Sequence, residues 1–146
     1  MFTPSEISSI QKLLIPGNKI VIITHYNPDG DAIGSSLGLK HFLNKKGLEA
    51  DVIVPNDFPK FLKWMPDSKK IIIADYKRKV AGEAIYNADV IFILDFNASH
   101  RSGNLVGPWI EKAKAKKILI DHHQQPEDFD FVYSDVKVPA TSQMIY

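Results

Sequence analysis

The sequence predicts an α/β fold, an open, doubly wound and mainly parallel sheet flanked by helices. Two observations carry that prediction. Short, unbroken aliphatic runs recur along the chain, β-branched and not alternating with polar residues, as strands buried on both faces require. Helix-like stretches separate them, and strands alternating with helices imply βαβ units with right-handed crossovers. The runs are Ile20–Ile23, Val52–Val54, Ile71–Ile73, Val90–Leu94 and Ile118–Ile120.

The elements follow in chain order. A first helix is expected after Pro4-Ser5. Ala32–Lys46 spaces Ile33, Leu37, Leu39, Phe42 and Leu43 for a helix and stops at Gly47. Lys77–Tyr86 and Leu105–Lys116 are weaker helical stretches. Pro55–Ser68, with Phe58, Phe61, Trp64 and Met65, reads as a short helix and a loop. Pro139–Tyr146 reads as a capped helix start with no stop signal behind it, the pattern of a chain continuing into a longer protein.

Bulk properties bound the rest. The 146 residues fit one domain, and 45% hydrophobic with 24% charged residues is ordinary for a globular protein. A net charge of +1 does not by itself announce a nucleic-acid or membrane partner. The absence of cysteine excludes disulfides and thiolate chemistry and agrees with a reducing cytoplasm. Residues 1–11 lack the basic and apolar regions of a signal peptide. No aliphatic run approaches the roughly 20 residues that span a bilayer.

The polar residues gather where strands end. His25, Asp29 and Asp31 follow the first run, Asp95 follows Leu94, and Asp121-His122-His123 follows Ile120. In a parallel sheet these clusters emerge on one edge, the edge where such folds bind ligands. Four carboxylates and three imidazoles on one rim repel and desolvate one another, and a divalent cation is the simplest agent to offset that. Mixed carboxylate–imidazole ligation suits manganese, iron, cobalt or zinc better than calcium.

Plainer readings exist for each piece. Pro28-Asp29-Gly30 is a turn sequence, Asp31 suits a helix cap, and Asp95 alone could cap or line a loop. An EF-hand is excluded, because Lys40 stands where the loop that starts at Asp29 needs Glu. Asp75 and His41 read as structural, and His100 stays open. Lys112, Lys114, Lys116 and Lys117 read as a solvated helix end. Arg101, before Ser102-Gly103, could set a guanidinium over a phosphate.

The residues His25-Tyr26-Asn27-Pro28-Asp29-Gly30-Asp31-Ala32-Ile33-Gly34-Ser35 resemble the first signature of the DHH phosphoesterases. Asp95–Gly103 resembles the second, and Asp121-His122-His123 is the triplet that names the family. The resemblance spans essentially the whole chain, in order, and is strongest to the nanoRNase and 3′-phosphoadenosine 5′-phosphate phosphatase branch. It implies two manganese sites, with His25 and Asp29 on one ion, Asp31 and His122 on the other, and Asp95 bridging. It implies further that His123 contacts a substrate phosphate and that Asp121 supports the histidine pair. The catalytic group would then be His122, His123 and Asp95, acting on a short oligonucleotide or nucleotide phosphate.

The resemblance also sets expectations for what lies outside residues 1–146. Family members carry one more metal-binding aspartate and a second, basic, glycine-rich domain of the DHHA1 type, so this chain is expected to be a truncated catalytic domain. Other readings are a different DHH substrate (pyrophosphate, polyphosphate, a cyclic or linear dinucleotide) or a metal-binding module without turnover. Retention of His25, Asp29, Asp31, Asp95 and His122 argues against the last. A homodimer is left open, and a membrane is not expected.

Overall fold

The computed structural model describes all 146 residues. A six-stranded sheet runs in the order β3-β2-β1-β4-β5-β6. Its strands are β1 (Ile20–Ile23), β2 (Ala50–Val54), β3 (Ile72–Ile73), β4 (Val90–Leu94), β5 (Lys116–Asp121) and β6 (Phe131–Ser134). Every neighbouring pair is parallel. The fold is therefore α/β and doubly wound, as the continuous aliphatic runs require.

Period-two geometry divides each strand between two cores. Ile20, Ile22, Val52, Val54, Phe92, Leu94, Ile118 and Ile120 pack on one face, against Ile33, Leu37 and Leu43 of α2 (Gly30–Lys45) and Ile10 of α1 (Pro4–Leu13). Val21, Ile23, Ile53, Ile91, Ile93 and Leu119 face the other side. There they meet Ala81 and Ile85 of α3 (Arg78–Tyr86) and Val106 and Ile110 of α4 (Gly103–Lys112). A polar residue inside any central run would have lost one of these two cores.

Three expectations need correction. The helix expected over Leu105–Lys116 starts two residues earlier and ends at Lys112, and Lys116 and Lys117 open β5. Their backbone is claimed by the sheet: Lys116 N–H donates to Asp89 O and Lys117 N–H to Asp130 Oδ2. Strand β6 was not expected. It is a half-buried edge strand pairing with β5 alone, so its four residues never form a long apolar run. Asp31 is not the helix cap; Asp29 is, with its Oδ1 accepting from Ala32 N–H at 3.0 Å. Asp31 sits in the first turn behind it.

The final helix, α5 (Thr141–Ile145), lies against α2. Gly34 and Gly38, one turn apart, keep that side of α2 low, and Cβ atoms there would stand 3.6 Å from Ser142 Oγ and 3.9 Å from Ile145 Cγ2. No helix is long and apolar enough to cross a membrane.

Candidate metal centre

Strand order reverses between β1 and β4: from β1 the sheet runs to β2 on one side and to β4 on the other. The crevice at such a point, above the carboxyl ends of the strands, is the place where doubly wound folds bind ligands. Thr24 Oγ1, buried just past β1, donates to Leu94 O at 2.9 Å and ties the two strand ends together. The loops after β1, β4 and β5 then rise from a fixed base.

The backbone turns sharply to aim these loops. Asp95 has φ 65° and Asn27 φ 54°, left-handed conformations that short polar residues tolerate better than most. Asn27 is held there by a reciprocal pair with Asn56, N–H to Oδ1 at 2.8 Å and Nδ2 to Oδ1 at 2.7 Å. Tyr26 N–H donates to Arg101 O at 2.9 Å. Gly103, at φ 89°, lies so close beneath Tyr26 that a Cβ would meet its ring at 3.1 Å.

Asp95 is the centre of the arrangement, buried at 2% exposure. Its Oδ2 lies 3.5 Å from His25 Nε2, and its Oδ1 lies 3.3 Å from His122 Nε2. Asp29 Oδ1 stands 3.9 Å from His25 Nε2, and Asp31 Oδ2 stands 3.7 Å from His122 Nε2. The structure thus brings His25, Asp29, Asp31, Asp95 and His122 into one cleft. Two groups of donor atoms fall within 4.8 Å of one another: His25, Asp29 and Asp95, and Asp95, His122 and His123.

His25 Nδ1 donates to Tyr26 O at 2.7 Å, so Nε2, which faces Asp95, is the nitrogen that gains or loses a proton. Asp121, fully buried, accepts at Oδ1 from His123 Nδ1 at 2.7 Å and at Oδ2 from His123 N–H at 3.1 Å. Expected to brace both histidines, it makes hydrogen bonds to His123 only. His122 stacks obliquely on His123, with ring centroids 4.6 Å apart.

The sequence reading missed two residues of the cleft. Thr141 N–H donates to Asp31 Oδ2 at 2.8 Å while Thr141 Oγ1 donates to Asp95 Oδ1 at 2.8 Å. Ser142 N–H donates to Asp31 Oδ1 at 2.8 Å, and Ser142 Oγ also hydrogen-bonds that oxygen. Thr141 is fully buried. The only signal in the sequence was the helix start itself, and nothing in it shows that the caps point at carboxylates far upstream.

These contacts set the charges. Burial pushes the Asp95 carboxyl above its usual 3.8 and the nearby Asp31 pushes the same way, against hydrogen bonds from His25 and Thr141. Burial also works against the Asp31 carboxylate, but the Ser142 hydroxyl and the Ser142 and Thr141 amides outweigh it and hold Asp31 below 3.8. Of the pair, Asp95 takes a proton first. Burial works to lower His25, yet Asp95, Tyr26 O and Asp29 outweigh it and raise the imidazole above 6.5. A buried carboxylate crowded by a second one and two imidazoles is a site whose charge balance a divalent cation would restore, and its oxygen and nitrogen donors suit one.

The remaining candidates stand apart. Arg101 is exposed and forms no ion pair; its backbone carbonyl anchors Tyr26. His100 is exposed and lines a cavity of about 520 Å³ with Tyr26, Pro55, Asp75 and Asn104. His41 pairs with Asp67 at 3.0 Å, and Asp75 is exposed. A cavity of about 610 Å³ opens at the amino-terminal edge of the sheet near Gly17 and Gly47, away from this chemistry.

Comparison with known proteins agrees with this architecture. The chain is 44% identical to an exopolyphosphatase-related protein of Bacteroides fragilis, whose crystal structure superimposes with a TM-score of 0.93 over 98% of this chain and 42% of that one. The structure of exonuclease RecJ bound to manganese shares the fold, with a TM-score of 0.55 and 13% identity over 96% of this chain and 34% of that one. The bifunctional oligoribonuclease and PAP phosphatase NrnA of Thermus thermophilus is 35% identical over 86% of this chain and 35% of its own length. The cyclic-di-AMP phosphodiesterase PdeA of Listeria monocytogenes is 24% identical over 94% of this chain and 22% of its own length. The chain therefore spans less than half of each of these relatives. The family model for the DHH family, N-terminal domain, matches residues 19–146, and the chain belongs to the DHH family of phosphoesterases.

Proposed function

We propose that residues 1–146 form the catalytic domain of a manganese-dependent phosphoesterase that cleaves short oligonucleotides and 3′-phosphorylated nucleotides. The carrying observation is the placement of Asp95, whose two carboxylate oxygens face different imidazoles, His25 at 3.5 Å and His122 at 3.3 Å. A carboxylate shared in that way is the form a bridging ligand takes. His25, Asp29 and Asp95 Oδ2 make one donor set; Asp31, His122 and Asp95 Oδ1 make the other.

Two manganese ions, when bound, supply a water activated at neutral pH and positive charge for both oxygens of an in-line displacement at phosphorus. The residues do the rest. Tyr26 O fixes the His25 tautomer so that Nε2 offers its lone pair. Both Ser142 bonds fall on Asp31 Oδ1, while Thr141 uses one lone pair of Oδ2 and leaves the other, on the His122 side, for a cation. Asp121 orients His123, which would contact a substrate phosphate oxygen. Arg101, exposed and unpaired, is free to hold a second one. The similarity to the bifunctional oligoribonuclease supports the choice of substrate. In this reading a second domain, carried by further chain, supplies most of the grip on the nucleotide.

The similarity to an exopolyphosphatase-related protein favours a second reading, hydrolysis of inorganic polyphosphate at the same centre. The test, on the protein carrying its native chain beyond residue 146, is release of mononucleotide from a 5′-labelled dinucleotide with and without manganese, run beside release of phosphate from tripolyphosphate. Manganese-dependent cleavage of the dinucleotide supports the proposal. Cleavage of tripolyphosphate alone replaces it with the second reading, and no cleavage of either defeats both.

A further inference from the structure

Phe61 and Trp64 are 74% and 76% exposed, although large aromatic side chains ordinarily bury most of their area. The segment that carries them is firmly held. Leu62, between them, is buried and its Cδ2 comes within 3.9 Å of a Cβ built on Gly30. Lys63 Nζ pairs with Asp57 at 2.5 Å and lies 3.8 Å from the centre of the Phe58 ring, and Ser68 Oγ donates to Lys63 O at 2.6 Å. Two rings are thus displayed on a fixed support that touches the residue between Asp29 and Asp31.

The charge around the rings is positive. Residues 60–70 hold four basic side chains against one acidic one, in a chain whose net charge is only +1. That acid, Asp67, is already neutralised, 3.0 Å from His41 and 3.1 Å from Lys70. Lys60 and Lys69, on either side of the rings, form no ion pair and are exposed. Exposed aromatics interleaved with unpaired cations bind single-stranded nucleic acid, because every base has a face to stack and every linkage a charge to meet. A protein partner would find the same rings but a repulsive excess of positive charge unless it were acidic.

We infer that Phe61 and Trp64, flanked by Lys60 and Lys69, form a stacking platform for the bases of an oligonucleotide whose phosphodiester lies at the Asp31–Asp95 cleft. The inference rests on the proposed nuclease function and adds to it the place where the substrate strand runs. No side chain is set there to read base edges, so the platform grips length and strandedness, not sequence.

Trp64 supplies its own probe. A five-nucleotide oligoadenylate is titrated into the 146-residue chain without manganese, so that nothing is cleaved, and tryptophan fluorescence is followed; Trp109, partly buried against Gly82, is the steady background. Quenching is expected, with affinity falling on the order of ten-fold in Phe61→Ala and again in Trp64→Ala, the latter read by anisotropy of labelled oligonucleotide. Lys60→Ala with Lys69→Ala should flatten the dependence of log affinity on log salt by about 0.7 per charge removed. In turnover the aromatic variants should raise KM and leave kcat and manganese affinity unchanged. Unaltered oligonucleotide affinity in the double aromatic variant overturns the inference. So does a concentration-dependent dimer, seen by sedimentation, that the same variant abolishes. Failure of the nuclease reading looks different: no manganese-dependent turnover in the protein that carries its native chain beyond residue 146, whatever the fluorescence shows.

Discussion

Thr141 gives one hydrogen to each of two carboxylates, and the two bonds can be separated by substitution. Thr141→Val keeps the shape and the amide bond to Asp31 but removes the hydroxyl bond to Asp95. A buried hydrogen bond to a charged group contributes about 1.5–3 kcal/mol. Chemical denaturation at neutral pH should show a loss of that size, calorimetry should show weaker manganese binding, and Thr141→Ser should restore both. Asp95 makes the opposite prediction. Its folded pKa lies above 3.8, so its contribution to stability is present below that value and is lost as pH rises through the folded pKa. At neutral pH the metal-free protein therefore carries an unfavourable buried charge. Asp95→Asn should stabilise the metal-free protein by on the order of 1 kcal/mol, read as a higher melting temperature, and abolish the further rise on adding manganese. If melting falls in the metal-free variant, the charge is not the source of the cost. Asp31, held below 3.8 by α5, has the reverse sign: its contribution is present above 3.8 and fades as pH falls.

At the scale of elements, the short helical turn over Ser99–Ser102 is what α4 holds in place for the site, since Arg101 O in that turn receives Tyr26 N–H. Gly107 lets α4 approach it: a Cβ there would stand 2.9 Å from Ser99 O, a backbone atom with no room to move. Gly107→Ala should cost about 1–3 kcal/mol in denaturant titrations, and a change within error would mean that the turn shifts freely. The same elements mark what could be read from sequence. β1, β4 and β5 were legible because burial on both faces forces a long aliphatic run, and the ligands were legible because each follows such a run. β6 was not, because an edge strand with half-buried residues carries no such run. Thr141 and Ser142 were visible as a helix start, yet a cap looks the same whether it serves its own helix or a distant carboxylate. The exposed Phe61 and Trp64 were seen only as residues of a hard segment, since exposure is not written in residue type.

For the whole molecule, the cleft exists only when three strand ends and α5 are together. Manganese should then bind the folded chain and not the unfolded one, so the melting temperature should climb with the logarithm of metal concentration above the dissociation constant. Residues 1–138, which lack Thr141 and Ser142, should show a much smaller climb than residues 1–146; equal climbs would mean that α5 plays no part in the metal site. The separations carry a consequence for how the protein is made. Thr141 lies 110 residues from Asp31 and 46 from Asp95, so the first carboxylate leaves the ribosome long before the residue that orients it. At the roughly 5–20 residues per second of synthesis, Asp31 waits several seconds or more for its partner. A metal ion that arrives in that interval meets an Asp31 whose oxygens are not yet oriented, so ordered capture on the His122 side of the cleft follows the synthesis of residue 142.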